Sequence, residues 1–222
     1  IDMNVYNFFA RSTTKFNESY LNQLDTKELT MIRDTTDVSY LFFKNKVVEV
    51  KENSISFIDY INVGGFVWQK NIIPRDLETI DLKSDFETFI NNISNNDEQR
   101  KLILECAIGY LLSTYKKQDE GLAIVLYDET LNDNPSGRTG KTIISKALGH
   151  MRKLVTLNGK EFDNKGNFPY DVVNLDDNII CFDDMERTFK LETLFSIMTG
   201  NLTLKKKFQQ PIEIPFVKSP KI

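Results

Sequence analysis

Long apolar runs are missing from this chain. None approaches the ~20 consecutive residues that a membrane-spanning helix requires, so no bilayer-crossing helix is expected. Proline and glycine are scarce, at 6 and 10 of 222 residues, while 41% of the chain is hydrophobic and 11% aromatic. That balance excludes a disordered or fibrous chain and is enough for a sizeable core, in one large or two small domains. Histidine occurs once, at His150, so no histidine-based metal site can be built from this chain alone. The two cysteines, Cys106 and Cys181, lie far apart in apolar segments and are expected to be buried thiols of a reducing compartment. An excess of positive charge is also absent. With 28 Lys and Arg against 32 Asp and Glu, the net charge is −4, and any nucleic-acid contact must come from a local patch. Residues 1–10 lack the basic start and apolar block of a signal peptide, and the expected location is the cytoplasm. The first residue is Ile1 rather than Met, so the chain is expected to be a piece of a longer protein.

The pattern of residues divides the chain into three regions: 1–80, 81–120 and 121–222. Residues 1–39 are polar and mixed, with a weakly helical stretch over 19–33. Residues 40–43, 47–51 and 55–58 are short β-branched or aromatic runs separated by Asn45-Lys46 and Glu52-Asn53, which predicts a small antiparallel β module. Ser84 and Glu87 fit a capping box, and Phe86, Phe89, Ile90 and Ile93 recur at helical spacing. A second helix is expected from Asp97, with Leu104, Ala107, Ile108, Leu111, Leu112 and Tyr115 as its stripe. Lys116 and Lys117 fall in its last turn, where cations suit the dipole. From 121 onward strand and helix patterns alternate. Residues 122–127 (LAIVLY) and 178–182 (NIICF) read as doubly buried strands, 154–157 as a short strand, and 141–150 as a helix with Ile143, Ile144, Ala147 and Leu148 inward. A further helix carries Leu191, Leu194, Phe195 and Met198 and stops at Gly200. A hairpin follows, with Leu202 and Leu204 facing Ile212, Ile214 and Phe216. The alternation predicts an α/β layer fold with a parallel sheet.

Three segments carry chemistry. Between the first apolar run and the helix at 141 lies Pro135-Ser136-Gly137-Arg138-Thr139-Gly140-Lys141-Thr142. A strand, a small-residue loop and a helix N-terminus in that order form a phosphate cradle of backbone N–H groups. Gly140 allows close approach, Lys141 reaches the β- and γ-phosphates, and the Thr142 hydroxyl serves Mg²⁺. Pro135 stands where the usual pattern begins with Gly; it fixes φ and removes a donor, so the loop must start differently. The second segment is the run 179–182 ending in Asp183-Asp184. Carboxylates at the end of a buried parallel strand open onto the crevice where ligands bind. There Asp183 would hold Mg²⁺ and Asp184 would orient or deprotonate the attacking water. Asp176-Asp177, at the strand's other end, read as a solvated turn. The third segment is Lys205-Lys206-Lys207-Phe208 on the hairpin. Three cations and an aromatic suit a phosphate backbone and a stacked base; the residues alone favour the other reading, a solvated sheet edge protected by lysines.

In this order the segments resemble superfamily 3 helicases, in particular the primase–helicases of bacteriophages and related mobile elements. The stretches 134–142, 179–184 and 198–222 carry the likeness, which covers 84–222. The resemblance implies a P-loop, AAA+-like parallel core, binding of ATP and Mg²⁺, a homo-hexameric ring around single-stranded DNA, and ATP-driven translocation. It assigns Lys141 and Thr142 to the Walker A role and Asp183 and Asp184 to Walker B. Lys205, Lys206 and Lys207 fall on the family's DNA-contacting hairpin. Residues 218–222 look like the start of the strand that carries the family's polar sensor, so weak hydrolysis is expected of the isolated segment. Arg138 and Arg187 are further candidates for phosphate contact. Two other readings fit the residues. One is a P-loop kinase of a small molecule, although 184–222 has only Arg187 where such enzymes carry an arginine-rich lid. The other is a non-catalytic assembly module that keeps nucleotide for structure.

Overall fold

A computed structural model describes residues 11–12, 28–78, 84–117, 120–127, 139–164, 166–186 and 188–222. The chain divides into two units, Ile1–Met31 and Ile32–Ile222. Every element described below belongs to the second. The helical reading of 19–33 lies largely outside the described residues, and 28–33 is not helical. The described part is a mixed α/β fold of small sheets, including one parallel pair, with no closed barrel. No described helix is long and apolar enough to cross a membrane.

The punctuated runs near the start form a meander of β1 (Val38–Phe42), β2 (Val47–Lys51) and β3 (Ser54–Ile58), paired antiparallel in sequence order. Phe43, Val48 and Ile73 are buried as its core, with Leu41, Val50, Leu77 and Met151 packed around them. Two helices follow. Helix α1 (Asp85–Ile93) starts where predicted because the Ser84 hydroxyl accepts hydrogen bonds from the N–H groups of Phe86 and Glu87. Helix α2 (Glu98–Leu112) is capped by Asp97, which accepts from Arg100 N–H at 3.0 Å.

Helix α3 (Lys141–Gly149) leads into β4 (Leu154–Asn158), which pairs in parallel with β5 (Ile179–Asp183). Both faces of this pair are covered, and successive residues alternate between them as the pleat requires. Ile179 and Leu154 face α2 and α3, joining Leu111, Ile144 and Leu148. Ile180, 1% exposed, and Leu157 face the opposite cluster with Val173, Leu194, Ile197 and Leu202. That second face is closed by α4 (Phe195–Thr199) and by the hairpin of β6 (Leu202–Leu204) and β7 (Ile212–Ile214). Lys221 lies parallel beside Ile179, and Ile124 N–H donates to the Ile222 carbonyl at 2.9 Å. In space the order is therefore β4, β5, 221–222 and then 124.

Several expectations need correction. Residues 122–127 form no strand: Ile124 bonds to Ile222, but Leu122, Val125, Leu126 and Tyr127 are exposed. An apolar run becomes a ladder only where a neighbour is alongside, and 221–222 meets it at a single position. Phe216 and Lys218 sit in a short 3₁₀ turn rather than continuing the hairpin or starting a strand. Cys106 is exposed, because α2 bears apolar residues on two sides and Leu102 and Ile103 also face outward. Ile143 is likewise exposed on α3. Asp176 is no free turn residue: it forms an ion pair with Lys153 and lies 3.8 Å from Lys70.

The largest correction concerns Lys116. Helix α2 stops at Leu112, and Lys116 runs inward beyond it. Its residue is 8% exposed; its ammonium donates to Ser219 Oγ at 2.7 Å and lies over the Phe216 ring. Lys221, 3% exposed, donates to the Tyr110 carbonyl at 2.6 Å and lies over the Tyr110 ring. Neither lysine has a carboxylate within ion-pair distance among the described residues, so burial lowers both pKa values to about 8. In the unfolded chain both return to 10.5. The unfolded state then binds more protons above pH 8, and stability rises with pH there. Cys181, raised from 9.0 mainly by burial, opposes the rise once the unfolded thiol ionises. Between about pH 7.5 and 9 the unfolding free energy should therefore increase by about 1 kcal/mol per lysine, and the urea midpoint should rise with it. In Lys116→Met roughly half of that increase should vanish. A midpoint that falls over this interval would contradict the burial of these ammonium groups.

Candidate functional site

The direction of α3 decides where the predicted site residues meet. Ser145 lies near enough to the Cys181 thiol to lower its pKa, while Leu148 joins Ile179 in one cluster and Gly149 lies against the Leu154 side chain. The helix therefore descends beside the strands as they rise. Its nine residues and the five of β5 each span about 12–13 Å. The N-terminus of α3, with Lys141 and Thr142, is thus level with the C-terminal end of β5, where Asp183 and Asp184 emerge.

The helix begins on Gly140, whose φ of 93° lies in the left-handed region. A side chain there would be strained, and a Cβ would come within 2.8 Å of the Phe89 ring of α1. Gly140 brings no side chain to cap the helix, and the first N–H groups of a helix lack internal partners. Backbone donors and the positive end of the dipole therefore face the same end as the carboxylates. The Lys141 ammonium lies 2.8 Å from Thr139 Oγ1, and Thr142 is exposed. Pro135, Ser136, Gly137, Arg138 and Arg187 lie outside the described residues.

On the strand side, Asp183 is exposed and pairs in register with Asn158, and its carbonyl accepts from Gly159 N–H. Gly159 is required there: a Cβ would come within 2.6–2.8 Å of Met185 and of the Asp183 carbonyl. Asp184 has φ 58°, a left-handed conformation that Asp tolerates better than most residues. This turns its carboxylate onto Lys160, 2.6 Å away, with both side chains well exposed. The hydrogen bond and charge of Asp184 raise the Lys160 pKa. Lys160 was not singled out by the sequence. The usable signal was positional: a cation two residues past Asn158 must sit beside whatever follows Asp183 once β4 and β5 pair in parallel.

These groups fit an Mg²⁺-bound polyphosphate in donor type: backbone N–H groups, an ammonium, a hydroxyl and two oxygen-bearing acids suited to a hard cation. Among the described residues no group of three or more His, Cys, Asp or Glu side chains forms a metal cluster. Any metal here would need phosphate oxygens to complete its ligands.

The lysine segment stands apart from these groups. It forms the loop between β6 and β7. Phe208, 94% exposed at φ 63°, is at the tip with Lys207 over its ring at 5.1 Å. Lys205 and Lys207 are exposed, while Lys206 donates to Asn174 Oδ1 at 3.0 Å, in the turn before β5. An aromatic so exposed on a folded hairpin adds nothing to the core.

Comparison with known proteins supplies no family: no protein-family model matches the chain, and no curated protein matches it significantly.

Proposed function

We propose that this chain carries the ATP-binding core of a P-loop nucleic-acid motor of the superfamily 3 helicase type, acting on single-stranded DNA as part of a hexameric ring. One observation carries the reading: the N-terminus of α3, with Gly140, Lys141 and Thr142, shares an end with the strand that delivers Asp183 and Asp184. That arrangement requires the sequence pattern at both sites and the antiparallel packing between them. A helix following a turn of small residues would satisfy only the first.

In this reading the α3 backbone N–H groups and Lys141 hold the β- and γ-phosphates of ATP. Thr142 and Asp183 supply oxygens to Mg²⁺, which neutralises charge on the phosphates when bound. Asp184 positions the attacking water, and Lys160 holds that carboxylate in place. The segment 221–222 lies between residue 124 and β5. Lys205, Lys206 and Lys207 meet the phosphates of a single strand, and Phe208 stacks on a base.

Calorimetric titration of Mg·ATP tests the nucleotide half. Lys141→Ala should weaken binding by about tenfold or more, and Asp183→Asn should remove most of the advantage that Mg²⁺ gives. Equal affinity in all three proteins would contradict the assignment. For the hairpin, the measurement is affinity for oligo-dT as a function of salt. Replacing Lys205, Lys206 and Lys207 with Ala should flatten the log–log slope by about 0.7 per lysine, roughly 2 in all. An unchanged slope would place the strand elsewhere.

A further inference from the structure

At the other end of β4 and β5 lies a cavity of about 360 Å³ that the nucleotide reading does not use. It sits between the β meander and the α/β layer. Its lining includes Arg33, Lys70, His150, Arg152 and Lys153, with Asp34 as the one carboxylate. Lys153 and Asn178 immediately precede β4 and β5, so the five residue steps from Asn178 to Asp183, about 16 Å, separate the cavity from Asp183 and Asp184.

The group of interest is Arg152, whose side chain is 9% exposed. Its Nε donates to the Leu112 carbonyl at 2.6 Å. One terminal nitrogen, Nη2, donates to Asp34 and to the Tyr40 carbonyl. The other, Nη1, makes no hydrogen bond to the described residues. Every fully buried side-chain nitrogen or oxygen among them does have a partner, and Arg152 is one of the residues that line the cavity. Arg33 forms no ion pair among the described residues. Lys70 and Lys153 share Asp176, and Asp34 answers Arg152. Four cations thus face two carboxylates. The C-terminal end of α3 offsets only part of that surplus, since a helix end carries about half a charge.

We propose that this cavity is a second ligand site, for a small phosphomonoester. A surplus of two positive charges matches a phosphate dianion, and a planar guanidinium edge with unused N–H groups is suited to phosphate oxygens. The volume exceeds that of a bare anion and falls in the range of small-molecule pockets. Asn71 and Asn178 provide amides for the uncharged part. A ligand held there bridges Arg33 and Lys70 of the meander side to Arg152 of the α/β layer.

The test uses calorimetry with two probes, inorganic phosphate and glycerol 2-phosphate, on the Lys141→Ala protein, so that phosphate binding at the crevice is suppressed. Saturable one-to-one binding should persist in that variant and weaken about tenfold or more in a further Arg33→Gln/Lys70→Gln replacement. These two are surface side chains, so folding should be unaffected, as far-UV circular dichroism can check. Tighter binding of the ester than of phosphate identifies an organic phosphate as the ligand; equal binding identifies the free anion. Absence of saturable binding at millimolar probe overturns the proposal. So does binding that ignores the Arg33 and Lys70 replacements, or binding lost on Lys141→Ala alone.

Discussion

One buried carboxylate holds three parts of this fold together. Asp34, with its side chain 2% exposed, accepts hydrogen bonds from Tyr40 N–H, from the N–H and hydroxyl of Thr114, and from Arg152. Tyr40 belongs to the meander, Thr114 follows α2, and Arg152 follows α3. Arg152 returns the tie by donating to the carbonyls of Leu112 and Tyr40. Burial lowers the Arg152 pKa and Asp34 opposes the change. Removing one partner of such a pair typically costs about 3–5 kcal/mol, because the other charge is left buried without an answer. The network does more than stabilise: it fixes the C-terminal end of α3 and therefore the end at which Lys141 must lie.

From that anchor the site follows in short steps. A helix held at its C-terminus and packed down the β4–β5 pair has its N-terminus at the strands' C-terminal end. Gly140 opens that terminus and Gly159 lets the opposing turn close over Asp183. The two buried lysines act at the neighbouring edge, where Lys116 and Lys221 tie 216–222 beneath α2. That keeps 221–222 in place beside β5.

Much of this was legible in the sequence because it depends on neighbours along the chain. The caps at Ser84 and Asp97 need only the next few residues. The meander follows from turn residues between β-branched runs, and the hairpin from alternation on either side of Gln209-Gln210-Pro211. The helix start at Gly140-Lys141-Thr142 and the strand ending in Asp183-Asp184 were visible for the same reason. What escaped was set by contacts at long range. Asp34 meets Thr114 across 80 positions and Arg152 across 118. Lys116 meets Ser219 across 103. A lysine just past a helical stripe reads as a surface cation, and nothing nearby in sequence marks it as buried. The run 122–127 failed in the opposite sense: its composition suits a doubly buried strand, but burial and pairing depend on what lies alongside.

The proposed function requires residues 140–142 and 183–184 to lie together around one metal-bound triphosphate. Paramagnetic broadening by Mn·ATP of assigned amide signals measures this directly. The account predicts strong broadening at Gly140, Lys141, Thr142, Asp183 and Asp184, and little at His150, Arg152, Lys153 and Asn178 at the far end of the strands. Broadening at the second group instead, or at neither, would contradict it.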